Sequence, residues 1–124
     1  MNDFAKLWVA ELRSGKWKQA TGQLRDGDNF CCLGVACELY RMRTPGAPEW
    51  STRATGVYEY GGEAGVLPRA VQNALGFKTR SGEHNYSDSC AAAPFESLSG
   101  LNDRGSSFGQ LADVIEANAD ELFV

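Results

Sequence analysis

Four cysteines and one histidine are the residues of this chain best suited to chemistry, and three of the cysteines fall in one short string, "FCCLGVACELY", from Phe30 to Tyr40. Cys31, Cys32 and Cys37 lie within seven residues, while Cys90 stands apart, six residues beyond His84. Such residues can ligate a metal, act as a thiolate nucleophile, or do no chemistry and pack as small apolar side chains.

Spacing argues against a metal. On a helix, Cys32 and Cys37 are turned about 140° apart at ~100° per residue, so they point to different faces. Structural zinc sites join a C-x₂₋₄-C pair to a second pair, whereas the second pair here would be His84 and Cys90 with five residues between. A catalytic thiolate needs a base beside it, which His84 could supply to Cys31 or Cys90. The neighbours of Cys31 are Phe30, Cys32 and Leu33; they favour burial, which holds a thiol protonated. The expectation is therefore a core helix, no metal, no cofactor and no enzyme, with a cysteine-dependent enzyme as the weaker alternative. Asp26, Asp28 and Asn29 imitate the start of a calcium loop but lack its downstream Gly and Glu, and a turn accounts for them.

The elements that must position these residues follow from periodicity. A first helix is expected over 3–14, where Phe4, Leu7, Trp8, Glu11 and Leu12 recur at helical spacing, Asn2 or Asp3 caps the start and Gly15 ends it. Trp17–Leu24 and Asn29–Cys31 read as two strands joined at Asp26-Gly27. A second helix runs over 32–42 with a wide apolar arc, Arg41 and Arg43 near its end and Thr44-Pro45 stopping it. Residues 44–56 read as loop, and "VYEYGGEAGV" as a short hairpin at Gly61-Gly62. Helices over 68–75 and 107–117 complete the set, the last opened by a Ser107/Gln110 capping box. Residues 78–94 read as irregular and exposed. The fold class is α+β, a helix-dominated single domain over 1–124 with about four helices and one or two short hairpins. Its core should hold Leu7, Trp8, Leu33, Val35, Cys37, Val71, Leu75, Phe108, Leu111 and Ile115.

Charge is unevenly spread. The net −4 divides into +3 over residues 1–80 and −7 over residues 81–124, which makes direct nucleic-acid binding an unattractive reading and lets the acidic third face a basic partner. The N-terminal string carries Asp3, Lys6 and Glu11 where a signal peptide needs an apolar run, and no apolar stretch nears the ~20 residues that span a bilayer. A cytoplasmic protein with reduced thiols and no membrane contact is expected.

Three groups of residues are candidates for binding. The aromatics Trp17, Trp50, Tyr58 and Tyr60 read as exposed interface anchors. Arg25, Arg41, Arg43 and Arg53 could meet an anionic nucleotide while an aromatic stacks on its base. Asn102, Asp103 and Arg104, in "LNDRG", form a polar knot ahead of the last helix, read in the first place as the turn into that helix and in the second as a functional surface.

The strings "LRSGKWKQ", "FCCLGVACELY", "VLPRAVQNALG" and "LSGLNDRGSSFGQLADVIE" resemble those of a group of small, mostly uncharacterised proteins of phages, prophages and bacteria, which share FCCLGV-x-C and LND-x-G-x-SF segments. The resemblance covers most of residues 4–116, without counterparts for 44–65 and 79–95. It implies a phage or mobile-element setting inside a host cell. Small accessory proteins of that setting often block host defence, CRISPR–Cas complexes among them, by occupying a protein surface or by sequestering a nucleotide signal. The implied partner is a host defence protein or complex, with a nucleotide ligand as the alternative.

Overall fold

The computed structural model describes residues 1–85 and 95–124. Its architecture is α+β. Helix α1 spans Asp3–Arg13, α2 Cys32–Arg43, α3 Arg69–Leu75, α4 Leu98–Asp103, α5 Phe108–Ala117 and α6 Ala119–Leu122. Three two-stranded antiparallel sheets pair β1 (Arg25–Asp26) with β2 (Asn29–Phe30), β3 (Ser51–Thr52) with β4 (Tyr58–Glu59), and β5 (Glu83–Asn85) with β6 (Phe95–Ser97). No helix among the described residues is long and apolar enough to cross a membrane.

Helix α2 is the centre. Every residue from Cys32 to Cys37 is buried, and α1, α3 and α4 pack around it. The expected wide apolar arc is there because the first two turns meet protein on all sides. Trp8 of α1 reaches in and donates its indole N–H to the Cys32 carbonyl at 2.8 Å. Helix α1 starts where Asn2 caps it: the Asn2 side chain accepts from Ala5 N and donates to the Ala74 carbonyl, joining α1 to the end of α3.

The stripe of α1 is rotated by one residue from expectation. Ala5, Trp8, Val9 and Leu12 are buried, whereas Phe4 and Leu7 are half-buried at the rim. Small Ala5 lets α1 approach its neighbours closely, and Phe4 instead meets Tyr40 edge-on at 6.4 Å. The other expected core residues, from Trp8 to Ile115, are buried. Helix α5 has the expected capping box, with Ser107 and Gln110 bonding each other's backbone, and buries Phe108, Leu111, Ala112 and Ile115. Helix α3 ends at Gly76, whose φ of 76° is left-handed.

Several expectations are corrected. Trp17–Leu24 is not a strand; it is a loop touching β2 through a bridge between Gln19 and Phe30, and only Arg25–Asp26 pairs with Asn29–Phe30. The tight turn is Gly27-Asp28, one residue later than expected, because the conformation needs positive φ at its first residue and Gly27 supplies 59°. The 44–56 segment contains β3. Gly61 and Gly62 do make the expected turn, both with positive φ, and Tyr60 and Glu63 exchange backbone hydrogen bonds across it. Helix α4 occupies a stretch read as turn, and α6 adds a last turn that brings Phe123 beside Phe77. Within the segment 78–94, read as irregular and exposed, Glu83–Asn85 instead pairs antiparallel with Phe95–Ser97 and His84 is buried; residues 86–94 of that segment lie outside the described residues.

Candidate functional site

Two hairpins and a turn assemble an aromatic cluster that local sequence does not show. In the β1–β2 hairpin, Arg25 stands opposite Phe30. In the β3–β4 hairpin, Thr52 stands opposite Tyr58, and β4 lies against β1. The Arg25 guanidinium therefore sits 4.2 Å from the Tyr58 ring centre, 5.3 Å from Phe30 and 5.4 Å from Trp50. Trp50 tilts against Tyr60 at 5.0 Å and against Phe30 at 5.8 Å, and Trp17 meets Phe30 edge-on at 5.3 Å. Contacts of this kind are attractive through ring quadrupoles.

Helix α2 steadies the cluster from beneath. Glu38 accepts from Arg41 Nε at 2.5 Å and from Trp50 Nε1 at 3.2 Å, and Arg41 also meets Glu49. Arg53 donates to Glu59 at 2.7 Å, closing the β3–β4 hairpin from its side.

Six of the expected binding residues, Trp17, Arg25, Arg41, Trp50, Tyr58 and Tyr60, are thus neighbours. The aromatics are not exposed anchors as expected. Trp17, Trp50 and Tyr58 are half-buried, and Tyr60 is 1% exposed, because each ring packs on another. Arg53 joins the edge of this cluster through Glu59. Arg43 stays exposed at the end of α2 with no ion pair among the described residues. Phe30 and Glu38 were missed by sequence reasoning. The i,i+3 spacing of Glu38 and Arg41 was the available signal for one, and the cross-strand position of Arg25 and Phe30 for the other.

"LNDRG" turns out to be a clamp. Asn102 is fully buried at the end of α4. Its Oδ1 accepts from Gln19 Nε2 at 2.8 Å and from the Cys32 N–H at 3.2 Å, and its Nδ2 donates to the Ala20 carbonyl at 2.8 Å and to Asp103 at 3.3 Å. Asp103 accepts from Gly22 N at 2.8 Å, and Arg104 pairs with Glu96. These bonds tie α4 to the 19–22 loop, to the open N-terminus of α2 and to β6. A fully buried Asn102 offers nothing to a partner, which corrects its reading as a surface residue; the turn reading is corrected too, since Asn102 and Asp103 close α4 and the turn falls on Arg104 and Gly105.

Cys31, Cys32 and Cys37 are buried free thiols, as the core reading expected. Cys31 caps α2, its sulfur accepting from Gly34 N at 3.4 Å, and burial pushes its pKa up to about 11; burial also raises Cys32 and Cys37. The His84 Nδ1 lies 3.0 Å from the Gly82 carbonyl and so carries the proton there, since a carbonyl can only accept. Among the described residues, no three of His, Cys, Asp and Glu converge as a metal group would. Cys90 lies outside the described residues. Asp26, Asp28 and Asn29 belong to the β1–β2 turn.

A family model described as a domain of unknown function (DUF8296) matches residues 1–119. No curated protein and no solved structure matches the chain.

Proposed function

The chain belongs to the DUF8296 family of unknown function, and on that premise we propose that it is a non-enzymatic accessory protein of a phage or mobile element that binds and inhibits a bacterial defence complex, such as CRISPR–Cas, in the host cytoplasm. The observation that carries the reading is the Arg25 stack. An arginine held among Phe30, Trp50 and Tyr58 on two short hairpins is the residue composition of a protein-interface hot spot, where arginine, tryptophan and tyrosine dominate. The phage setting rests on the shared FCCLGV-x-C and LND-x-G-x-SF segments.

The acidic C-terminal third supports the reading less. Asp113 and Glu116 share Arg13, Glu96 takes Arg104, and Asp103 is used by Gly22, so much of that charge is answered within the chain. The nucleotide-sponge alternative is weaker for the same reason: Arg41 already serves Glu38 and Glu49, and Arg53 serves Glu59.

The test is a plating assay. Cells carrying one active defence system and expressing the chain are challenged with a phage that this system restricts. Restored plating by the native chain, lost with Trp50→Ala/Tyr58→Ala at equal protein level, supports the proposal. Plating unchanged by the native chain across nucleic-acid-guided and other defence systems overturns it.

A further inference from the structure

Arg25 is unusual in what it leaves free. Its Nε donates to the Gly27 carbonyl at 2.7 Å, which sets the plane of the guanidinium, and the three rings cover its faces. The nearest carboxylate, Asp28, stands 3.9 Å from Nη2, beyond hydrogen-bond reach, on a side chain fully exposed to solvent. The four N–H groups on the terminal nitrogens thus make no hydrogen bond among the described residues, although the side chain is only 19% exposed. Such an arginine has lost its rotamer freedom before any partner arrives, and it presents a planar fork that matches a carboxylate with two parallel bonds.

A second observation falls in the same cluster. Two buried polar atoms lack a partner among the described residues, Trp17 Nε1 and the Tyr60 hydroxyl. Trp17 leans on Phe30 and Tyr60 on Trp50, so both belong to the stack that carries Arg25. Buried polar groups are nearly always paired, and an unpaired one calls for a specific reason. The burial of Trp17 Nε1 and the Tyr60 hydroxyl keeps both atoms from a docked partner, so the donors this face offers are the four terminal N–H groups of Arg25, with Asp28 the one carboxylate within 4 Å of them among the described residues.

We propose that this face docks an acidic segment of a protein partner, a partner carboxylate seating on the Arg25 fork between Tyr58 and Trp50. The proposal rests on the protein-binding reading above and names the chemistry of its partner. A chain of net charge −4 attracts no acidic peptide by bulk electrostatics, so binding of one has to come from a local site.

The probe is a six-glutamate peptide blocked at both ends, titrated at low ionic strength against the tryptophan fluorescence of the intact chain, with the six-glutamine peptide and inorganic phosphate as parallel arms. Saturable binding of the glutamate peptide alone is expected, about tenfold or more weaker in Arg25→Gln, as loss of a charge-assisted bidentate pair implies. Arg25→Lys, which keeps the charge and the stem, should fall between, and it carries the test if Arg25→Gln fails to fold. Arg43→Gln should bind as the native chain does. Equal binding of the glutamine peptide, equal binding by Arg25→Lys and native protein, or an equal loss in Arg43→Gln overturns the proposal; phosphate binding as tightly as the peptide overturns it in favour of a free-anion site. The two readings fail separately. Restored plating with Arg25→Gln unimpaired removes the carboxylate anchor and keeps defence inhibition, whereas Arg25-dependent peptide binding with no effect on plating does the reverse.

Discussion

Asn102 donates its side-chain amide to the carbonyl of Ala20 at 2.8 Å, across 82 positions of sequence, and the same side chain accepts the backbone N–H of Cys32. Both hydrogens and both lone pairs of the amide are used in a fully buried site. Asn102→Ala would leave the Ala20 carbonyl and a first-turn amide of α2 unpaired, and should destabilise by roughly 2–4 kcal/mol in urea unfolding. Asn102→Asp should be at least as costly at neutral pH, because its carboxylate faces the Ala20 carbonyl and Asp103. A loss below about 0.5 kcal/mol for either variant would show that the clamp is dispensable.

Gly34 and Leu24 set a second close approach. A Cβ at Gly34 would stand 1.8 Å from the Leu24 carbonyl oxygen and 2.8 Å from its carbon, both backbone atoms with little room to yield. Alanine ordinarily improves a helix by about 1 kcal/mol over glycine. Here the clash should win, and Gly34→Ala should destabilise by about 2–3 kcal/mol or more. Far-UV circular dichroism against temperature checks it, and an unchanged or raised melting point would refute the contact.

These two contacts also show where sequence reading ran out. Helix α5 was legible because its capping box and its stripe are local signals. The stripe of α1 differs by one position from expectation because Trp8 and Leu12 fit two overlapping helical stripes: Phe4 and Leu7 lie at the rim while Ala5 and Val9 are buried. The loop from Trp17 to Leu24 resembles a strand in composition, yet its partners include Phe30, Ala64, Asn102 and Asp103, the last two about 80 positions away. The candidate site was legible as a set of residue types and illegible as a place. Arg25, Trp50 and Tyr58 meet only because two separate hairpins lie side by side.

Alkaline pH should loosen the fold through the cysteines. Burial pushes the Cys31 thiol from 9.0 to about 11 and raises Cys32 and Cys37 in the same direction. The native state therefore holds these protons after the unfolded chain has released them. Their contribution is complete below about pH 9 and is lost as pH rises through about 11; for Cys31 alone it amounts to roughly 2–3 kcal/mol. Urea unfolding at pH 8 and pH 10.5 measures it. Cys31→Ser keeps an acceptor at the cap but does not titrate, so its stability should fall less between the two pH values; an equal fall would remove Cys31 from this account.

Tyr60 should gain stability when its hydroxyl is removed. The ring packs on Trp50 at 5.0 Å and the residue is 1% exposed, yet the hydroxyl has no hydrogen-bond partner among the described residues. A buried polar group left unpaired costs about 1–3 kcal/mol, while phenylalanine retains the ring and nearly all the volume. Tyr60→Phe should therefore stabilise by roughly 0.5–2 kcal/mol, whereas Tyr58→Phe, half-buried on the same strand end, should change stability by less than about 0.5 kcal/mol. Tyr60→Phe should bind the glutamate peptide as the native chain does, because a hydroxyl buried this deeply does not reach a docked partner. A destabilised Tyr60→Phe would mean that the hydroxyl is already satisfied within the folded chain.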